Sequence, residues 1–224
     1  MRRWLFAGAL ALVSVNAMAA GDRGFFIAAS TGTATYDISH SDLDQISRNA
    51  YTVNGVGVLS MTSSLDDSDT TWSIVAGYKI LPYLSVEGGY IDLGRTRYRS
   101  TSSVLLGSIT PVTGLIGIDI SSKALIAAAK AMAPLGNRFD VHAQVGEIIS
   151  ETKLDVTVSL NNVNVPQSIT GHSADVFVGA GVTFRFNPNV SASFDYSLFK
   201  DVGDGDKTGE ADISALRLRL EYLF

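Results

Sequence analysis

Three short stretches of the chain carry side chains that could do chemistry. His172, Ser173 and Asp175 lie within four residues of one another and supply the three side-chain types of a serine hydrolase triad. A triad, however, is assembled in space from separate parts of a chain, and its members are not sequence neighbours. Polar residues at this spacing are more typical of the beginning of a strand next to a loop. We predict no catalytic residue here.

His142 is one of only three histidines. Its nearest polar neighbours on the same predicted strand are Asp140 and Gln144. A catalytic histidine needs both a nucleophile and an orienting acid within reach, and no nucleophile accompanies this one in the sequence. The pattern therefore predicts a structural histidine and a protein that is not an enzyme.

The acidic stretch DGDKTGE over 204–210 resembles the start of a calcium-binding loop. Such a loop ends with a bidentate acid at its twelfth position, which here is Ala215. The pattern therefore fails, and we predict a solvated turn and no bound metal or cofactor.

The N-terminus has the three parts of a secretory signal peptide. Arg2 and Arg3 form a positive region, residues 5–15 form an apolar region, and Ala17-Met18-Ala19 forms a small-residue cleavage site. We predict a signal peptide over residues 1–19 and one domain over residues 20–224. Without Arg2 and Arg3, 15 of the 17 basic residues remain against 22 acidic ones, which excludes a basic nucleic-acid surface.

The last thirteen residues, 212–224, show the clearest pattern in the chain. Apolar and charged residues alternate from Leu216 to Phe224, which is the period of a β-strand. Similar stretches predict strands over 24–36, 70–81, 84–97, 122–133, 138–150, 173–186 and 190–199. We predict loop-like excursions over 37–69, 98–121 and 151–172, the last with a hairpin of its own, and a short acidic loop before the final strand.

Short turns and long excursions alternate along the chain. The short turns lie at Pro82, Pro134 and Pro188, at intervals of 52 and 54 residues. Beyond the signal peptide no run of eighteen apolar residues predicts a membrane helix, yet 46% of the residues are hydrophobic. Only a closed barrel satisfies strand backbones in lipid. We predict an all-β, transmembrane, antiparallel up-and-down barrel of eight strands in the outer membrane, with both termini periplasmic.

Three segments carry a family resemblance: GYKILPYLSVEGGYIDLG over 77–94, AMAPLGNRFDVHAQVG over 131–146 and FRFNPNVSASFDYSLFKDVGD over 184–204. They resemble the OmpA-like outer membrane β-barrel family. The resemblance implies that Glu87 and Lys130 point into the barrel. It also implies that Tyr222 and Phe224 belong to a terminal signal for the barrel assembly machinery. The chain ends at its last strand, so we do not expect peptidoglycan anchoring.

An eight-stranded barrel is just wide enough for side chains to fill, and buried charges must be paired. We therefore predict a structural charge network in the lumen. Its members are Glu87, Lys130, His142, Gln144, Arg185, Asp195, Arg217, Arg219 and Glu221, with Lys79 and Asp140 on the same face.

These patterns predict a structural and surface-interaction role, in envelope integrity or in loop-mediated adhesion or host contact. The alternatives are a narrow porin-like channel and a lipid-modifying enzyme of the outer leaflet. The expected partners are outer membrane lipids and lipopolysaccharide, the barrel assembly machinery, and a host or surface ligand at the loops.

Overall fold

The computed structural model describes residues 23–52, 55–105, 111–160 and 163–224. The predicted signal peptide lies outside these residues. The elements are β1 (Gly24–Asp37), α1 (His40–Thr52), β2 (Gly57–Asp66), β3 (Ser68–Leu81), β4 (Leu84–Leu105), β5 (Pro111–Pro134), β6 (Phe139–Leu160), β7 (Val163–Arg185), β8 (Val190–Val202) and β9 (Ala211–Leu223). Within the described residues, no helix is long and apolar enough to cross a membrane.

Eight of the strands close into a ring, in the order β1, β3, β4, β5, β6, β7, β8, β9 and back to β1. Every pairing is antiparallel. Strand β2 pairs only with the far half of β4, from Arg97 to Leu105, while β3 pairs with its near half. Thus β2 continues the line of β3 beyond the ring. The prediction of an eight-stranded antiparallel barrel is confirmed.

The wall is apolar outside and polar inside, the reverse of a soluble protein. On β9, Leu216, Leu218 and Leu220 are 46–60% exposed, whereas Arg217 and Arg219 between them are 5–6% exposed. Strict alternation places every second residue on one face of a strand, so the leucines must all point outward when the arginines point inward. This arrangement is the one required for a wall in contact with lipid.

Three short turns define one end of the barrel, which we call the short-turn rim. Outward-facing aromatic side chains surround this rim and contact one another across strands. Ring centroids are 5.1 Å apart for Phe139 and Phe184, and 5.7 Å apart for Phe25 and Phe224. Aromatic rings of this kind form a belt where a membrane wall meets the headgroups.

The opposite end, which we call the long-hairpin end, rises well above the ring. The β4–β5 and β6–β7 hairpins extend past the tops of β8 and β9, and α1 packs mainly against β2 and β4. A second apolar cluster holds this extension together, separately from the barrel. Its fully enclosed members are Leu43, Tyr51, Val56, Tyr98, Val104, Ile116 and Ile118.

The prediction of a loop over 98–121 was wrong, because β4 continues to Leu105 and β5 begins at Pro111. Helix α1 was not predicted at all. The first excursion, predicted to be loop-like over 37–69, contains the strand β2, which pairs with β4.

The facing of β4 changes once along its length. The register with β5 shifts between Asp92 and Arg95, and Gly94 has a φ of 73°. Glycine adopts this left-handed conformation without a steric penalty, and such a bulge adds one residue to a strand. Odd-numbered residues point inward before the bulge and even-numbered ones after it. Arg95, Arg97 and Arg99 therefore lie on the outer face.

Candidate functional site

Five charged side chains of alternating sign form a chain across the lumen. Arg219 donates two hydrogen bonds to Glu87, from Nη1 to Oε1 at 3.0 Å and from Nη2 to Oε2 at 2.7 Å. Lys130 Nζ lies 3.6 Å from the same Oε2. Arg219 also donates to Glu221 Oε2 at 3.0 Å, and Lys79 Nζ lies 3.4 Å from Glu221 Oε1. Each carboxylate thus has a cation on both sides.

The Glu87–Arg219 pair spans the barrel, because two strands, β3 and β1, separate β4 from β9 in the ring. Both side chains are nearly inaccessible, at 7% and 6% exposed. A charge buried in this way is costly unless it is paired and hydrogen-bonded, and the bidentate contact supplies both. The pair therefore fixes the two opposite walls relative to each other.

A second group surrounds His142. Its Nε2 lies 2.9 Å from Asp195 Oδ1, and its Nδ1 lies 3.1 Å from Thr183 Oγ1. The sequence showed no nucleophile near His142, and the structure places the Thr183 hydroxyl beside it. Thr183, His142 and Asp195 thus lie next to one another, and His142 and Asp195 are at most 5% exposed. Burial at this level favours a structural role for the group over a catalytic one.

The remaining predicted lumen residues also point inward. Arg217 donates to Ser197 Oγ at 2.9 Å and lies near Ser73 Oγ at 3.5 Å. Gln144 donates to the same Ser197 hydroxyl at 3.2 Å. Nearer the short-turn rim, Arg185 donates to Asp140 at 2.9 Å. Among the described residues, no carboxylate lies within ion-pair distance of Arg217.

An apolar layer lies above the charges, towards the long-hairpin end. Sequence reasoning missed this layer. It is built from inward side chains that lie four residues, or two rungs, beyond the charged ones, as Ile91 does beyond Glu87. Within it, Phe177 stacks on Phe199 with ring centroids 5.1 Å apart. Its bulkiest members are at most 7% exposed: Tyr36, Ile91, Leu93, Ile126, Ile148, Phe177, Phe199 and Ile213. The Tyr36 hydroxyl donates to the Gly94 carbonyl at 3.0 Å, and the other side chains of the layer offer water no polar partner.

The His172, Ser173 and Asp175 stretch does not assemble into a triad. Ser173 Oγ donates to Asp175 Oδ2 at 2.5 Å and accepts the N–H of Gly203 at 3.1 Å. His172 is its direct neighbour on β7 and therefore points to the opposite face of the strand. The serine and the acid line a cleft of about 400 Å³ together with Asp204 and Glu210.

The acidic loop at 204–210 folds as a compact turn. The Asp204 carbonyl accepts the N–H groups of Lys207, Thr208 and Gly209. Lys207 Nζ donates to Asp204 Oδ2 at 3.0 Å, and this hydrogen bond lowers the pKa of Asp204. In the part of the chain that the structure describes, no cluster of three or more His, Asp or Glu side chains is placed to hold a metal ion.

A closed antiparallel ring with an apolar outer wall, an aromatic rim and a charged interior defines a transmembrane β-barrel. Residues 22–224 match the family described as OmpA-like transmembrane domain. The chain belongs to this family, and the predicted resemblance is confirmed. The barrel is therefore an outer membrane protein.

Several known proteins are similar to this chain. The outer membrane protein A of Shigella flexneri is 26% identical over 151 residues, which cover 66% of this chain and 38% of that protein. The chain thus spans little more than a third of that relative. The Neisserial surface protein A structure is 16% identical, with a TM-score of 0.50 over 90% of this chain and 97% of that one. The attachment invasion locus protein Ail of Yersinia pestis, in complex with a heparin analogue, is 14% identical, with a TM-score of 0.46 over the same shares.

Proposed function

We propose that this protein is a sealed outer membrane barrel whose role is structural and whose long-hairpin end makes contacts at the cell surface. The observation that carries the proposal is the division of the lumen into two layers. A paired charge network lies towards the short-turn rim, and an apolar layer lies beyond it towards the long-hairpin end. Neither layer provides a continuous polar path for a solute, which argues against the narrow channel.

The long-hairpin end has the features expected of a recognition element. Helix α1 is fixed to the hairpins by apolar contacts and by a hydrogen bond of 2.7 Å from the Tyr98 hydroxyl to Asp44. Hydrogen bonds from Ser63 and Tyr98 hold the pKa of Asp44 below its usual value. The β6–β7 hairpin presents Val163 and Val165, which are 66% and 61% exposed. A rigid scaffold with exposed apolar groups at its tip is suited to binding a macromolecule.

We propose that the long-hairpin end is extracellular and that both ends of the mature chain are periplasmic. Short turns on the periplasmic side and long loops outside are the rule for outer membrane barrels. In this arrangement residues 1–19 are the cleaved signal peptide, residues 20–224 are the barrel domain, and Tyr222 and Phe224 at the periplasmic rim are part of the signal for the barrel assembly machinery. We propose no catalytic role.

Shortening both hairpins tests this function. Joining residues 97 and 119 of β4 and β5, and residues 153 and 170 of β6 and β7, by two-residue turns keeps the strand register, because each pair is in register already. We expect the shortened barrel to assemble normally and to protect cells against detergent as well as the full chain does. Adherence of the bacteria to host cells should fall to the level of a strain without the protein. Unchanged adherence, together with slower uptake of a small hydrophilic solute, would contradict the proposal and favour the channel.

A further inference from the structure

A cluster of basic side chains lies on the outer face of the wall and is centred on Ser121. In the strand register, Ser121 is opposite Arg95 of β4 on one side and opposite Lys153 of β6 on the other. Lys123 follows two residues later on the same face of β5. Side chains directly opposite each other are about 5 Å apart at Cβ, and diagonal ones about 7–8 Å. Three cationic side chains therefore surround one small hydroxyl residue.

The height of this cluster places it beyond the lipid-facing wall. The last fully apolar rung consists of Tyr90, Leu125 and Ile149, with Leu125 59% and Ile149 63% exposed. Ser121 precedes Leu125 by four residues on β5 and lies closer to the long-hairpin end. Four residues correspond to about 14 Å along a strand and to about 10 Å along the membrane normal at the usual strand tilt. The headgroup region begins where the apolar wall ends. The cluster is thus at the level of headgroup phosphates.

The donors of the cluster are available. Arg95 Nε lies 3.8 Å from Asp69 Oδ2, and its guanidinium donates no hydrogen bond within the described residues. Lys123 has no ion-pair partner in the same part of the chain. Lys153 is held by Asp155 at 2.8 Å, but both side chains are well exposed. Exposed pairs of this kind are weak and readily exchange one partner for another.

The acidic side chains near the cluster do not fill it. Asp92 and Glu151 are opposite Lys123 in the register, one on each side. Asp92 already accepts the backbone N–H of Gly94 at 2.9 Å. Asp119, one rung above Ser121, accepts two hydrogen bonds from Arg99, at 2.9 and 2.8 Å. No carboxylate occupies the centre, where Ser121 lies.

We propose that Arg95, Ser121, Lys123 and Lys153 form a binding site for a phosphate group of an outer-leaflet lipid. Guanidinium and ammonium groups donate charge-assisted hydrogen bonds to phosphate, and the serine hydroxyl adds a neutral donor. The site lies on the outside of the wall, where a lipid headgroup reaches it laterally. This inference rests on the proposed orientation, with the long-hairpin end outside, and does not depend on what the hairpins bind.

Thermal unfolding of the full-length protein in vesicles tests the site. Vesicles of phosphatidylcholine alone are compared with vesicles that also contain diphosphorylated lipid A. A ligand that binds only the folded state raises the unfolding temperature, and we expect a rise of about 5–10 °C. The triple variant Arg95→Gln, Lys123→Gln, Lys153→Gln should lose this rise. Lys200→Gln, which removes an outer-wall cation of β8 that is paired with Asp212, should keep it.

Two substitutions of Ser121 sharpen the test. Ser121→Glu places a carboxylate among the three cations, so the protein should be at least as stable without lipid A but should no longer respond to it. Ser121→Ala should retain most of the response. An equal response in the triple variant, or in Ser121→Glu, would overturn the site. The same rise with inorganic phosphate in place of lipid A would show a site for free anions and would overturn the lipid assignment.

The orientation on which this inference rests is tested separately. Protease added to intact cells should cut the β4–β5 or β6–β7 hairpin if the long-hairpin end is extracellular. The vesicle measurement does not depend on the direction of insertion, so a wrong orientation and a missing phosphate site give different results.

Discussion

Arg219 and Glu87 face each other across the barrel and are joined by two hydrogen bonds, although 132 residues separate them in the chain. Glu87 lies on β4, and Arg219 lies on β9, the strand that closes the ring against β1. Each oxygen of the carboxylate accepts from one nitrogen of the guanidinium. The contact can form only when the barrel is closed, so it couples the interior network to ring closure.

A double-mutant cycle should detect this coupling. Glu87→Ala leaves Arg219 and Lys130 without their shared carboxylate and should lower the free energy of unfolding by about 3–5 kcal/mol. The double variant Glu87→Ala, Arg219→Ala should recover part of that loss. Urea unfolding of the refolded protein in micelles measures both. Glu210→Ala in the exposed loop is the control, with an expected change within about 0.5 kcal/mol. Strictly additive effects would show that the two residues do not act as a pair.

The two buried arginines of β9 should respond differently to the same substitution. Arg219 has two carboxylate partners, whereas Arg217 hydrogen-bonds to serine hydroxyls and makes no ion pair within the described residues. Arg219→Met removes both hydrogen bonds to Glu87 and leaves that carboxylate with Lys130 alone, which should cost about 3–5 kcal/mol. Arg217→Met replaces a buried cation that makes no ion pair within the described residues by an apolar side chain, and should cost less than about 1 kcal/mol. Both are measured by the same urea titration. Equal losses would mean that Arg217 has an ionic role that its contacts do not explain.

The sequence of β9 predicted which side chains point to lipid and which point into the lumen, because large apolar and charged residues alternate along it without interruption. The same logic failed where both faces of a strand are apolar. Ile91, Ile126 and Ile148 point inward, yet their neighbours Tyr90, Leu125 and Ile149 are apolar too and face lipid. When both faces of a strand are apolar, the alternation of residue types does not show which face points into the lumen. The apolar layer of the lumen could therefore not be predicted from the sequence.

The alternation along each strand assigns its charged residues to one face, because alternation is a local property, but it does not give their partners. The partner of Glu87 depends on the register and curvature of the closed ring, which no local pattern contains. The extension was missed for a related reason: Ser100 and Ser102 are small polar residues that are buried only because the hairpins and α1 pack together.

A charge on the lipid face should be costly at Phe194. This side chain is 56% exposed on the outer wall of β8, between Ala192 and Tyr196. Phe194→Arg should destabilise the barrel by about 2–4 kcal/mol in vesicles, whereas the apolar substitution Phe194→Leu should cost far less. Urea unfolding in vesicles checks both. If the arginine were tolerated as well as leucine, this part of β8 would not be in contact with the hydrocarbon.

The terminal phenylalanine should matter for assembly more than for stability. Phe224 contacts Phe25 and Tyr222 at the rim, with centroids 5.7 and 5.0 Å apart. If it belongs to the assembly signal, Phe224→Ala should lower the heat-modifiable fraction in cells while the refolded variant stays nearly as stable as the unchanged protein. Phe186→Ala removes another rim aromatic, in contact with Phe184, and should assemble normally. Equal losses for both variants would indicate a general effect of the rim and not a terminal signal.

Planar-bilayer recording of the refolded protein tests the central claim, that the lumen is sealed by its apolar layer. The unchanged protein should show no steady single-channel conductance. Glu87→Ala should show none either, because it disrupts only the charged layer. The double variant Phe177→Ala, Phe199→Ala removes the stacked rings from the apolar layer and is the one expected to leak ions. Steady conductance steps from the unchanged protein, or steps that first appear in Glu87→Ala, would contradict the seal and identify the charge network as a gate.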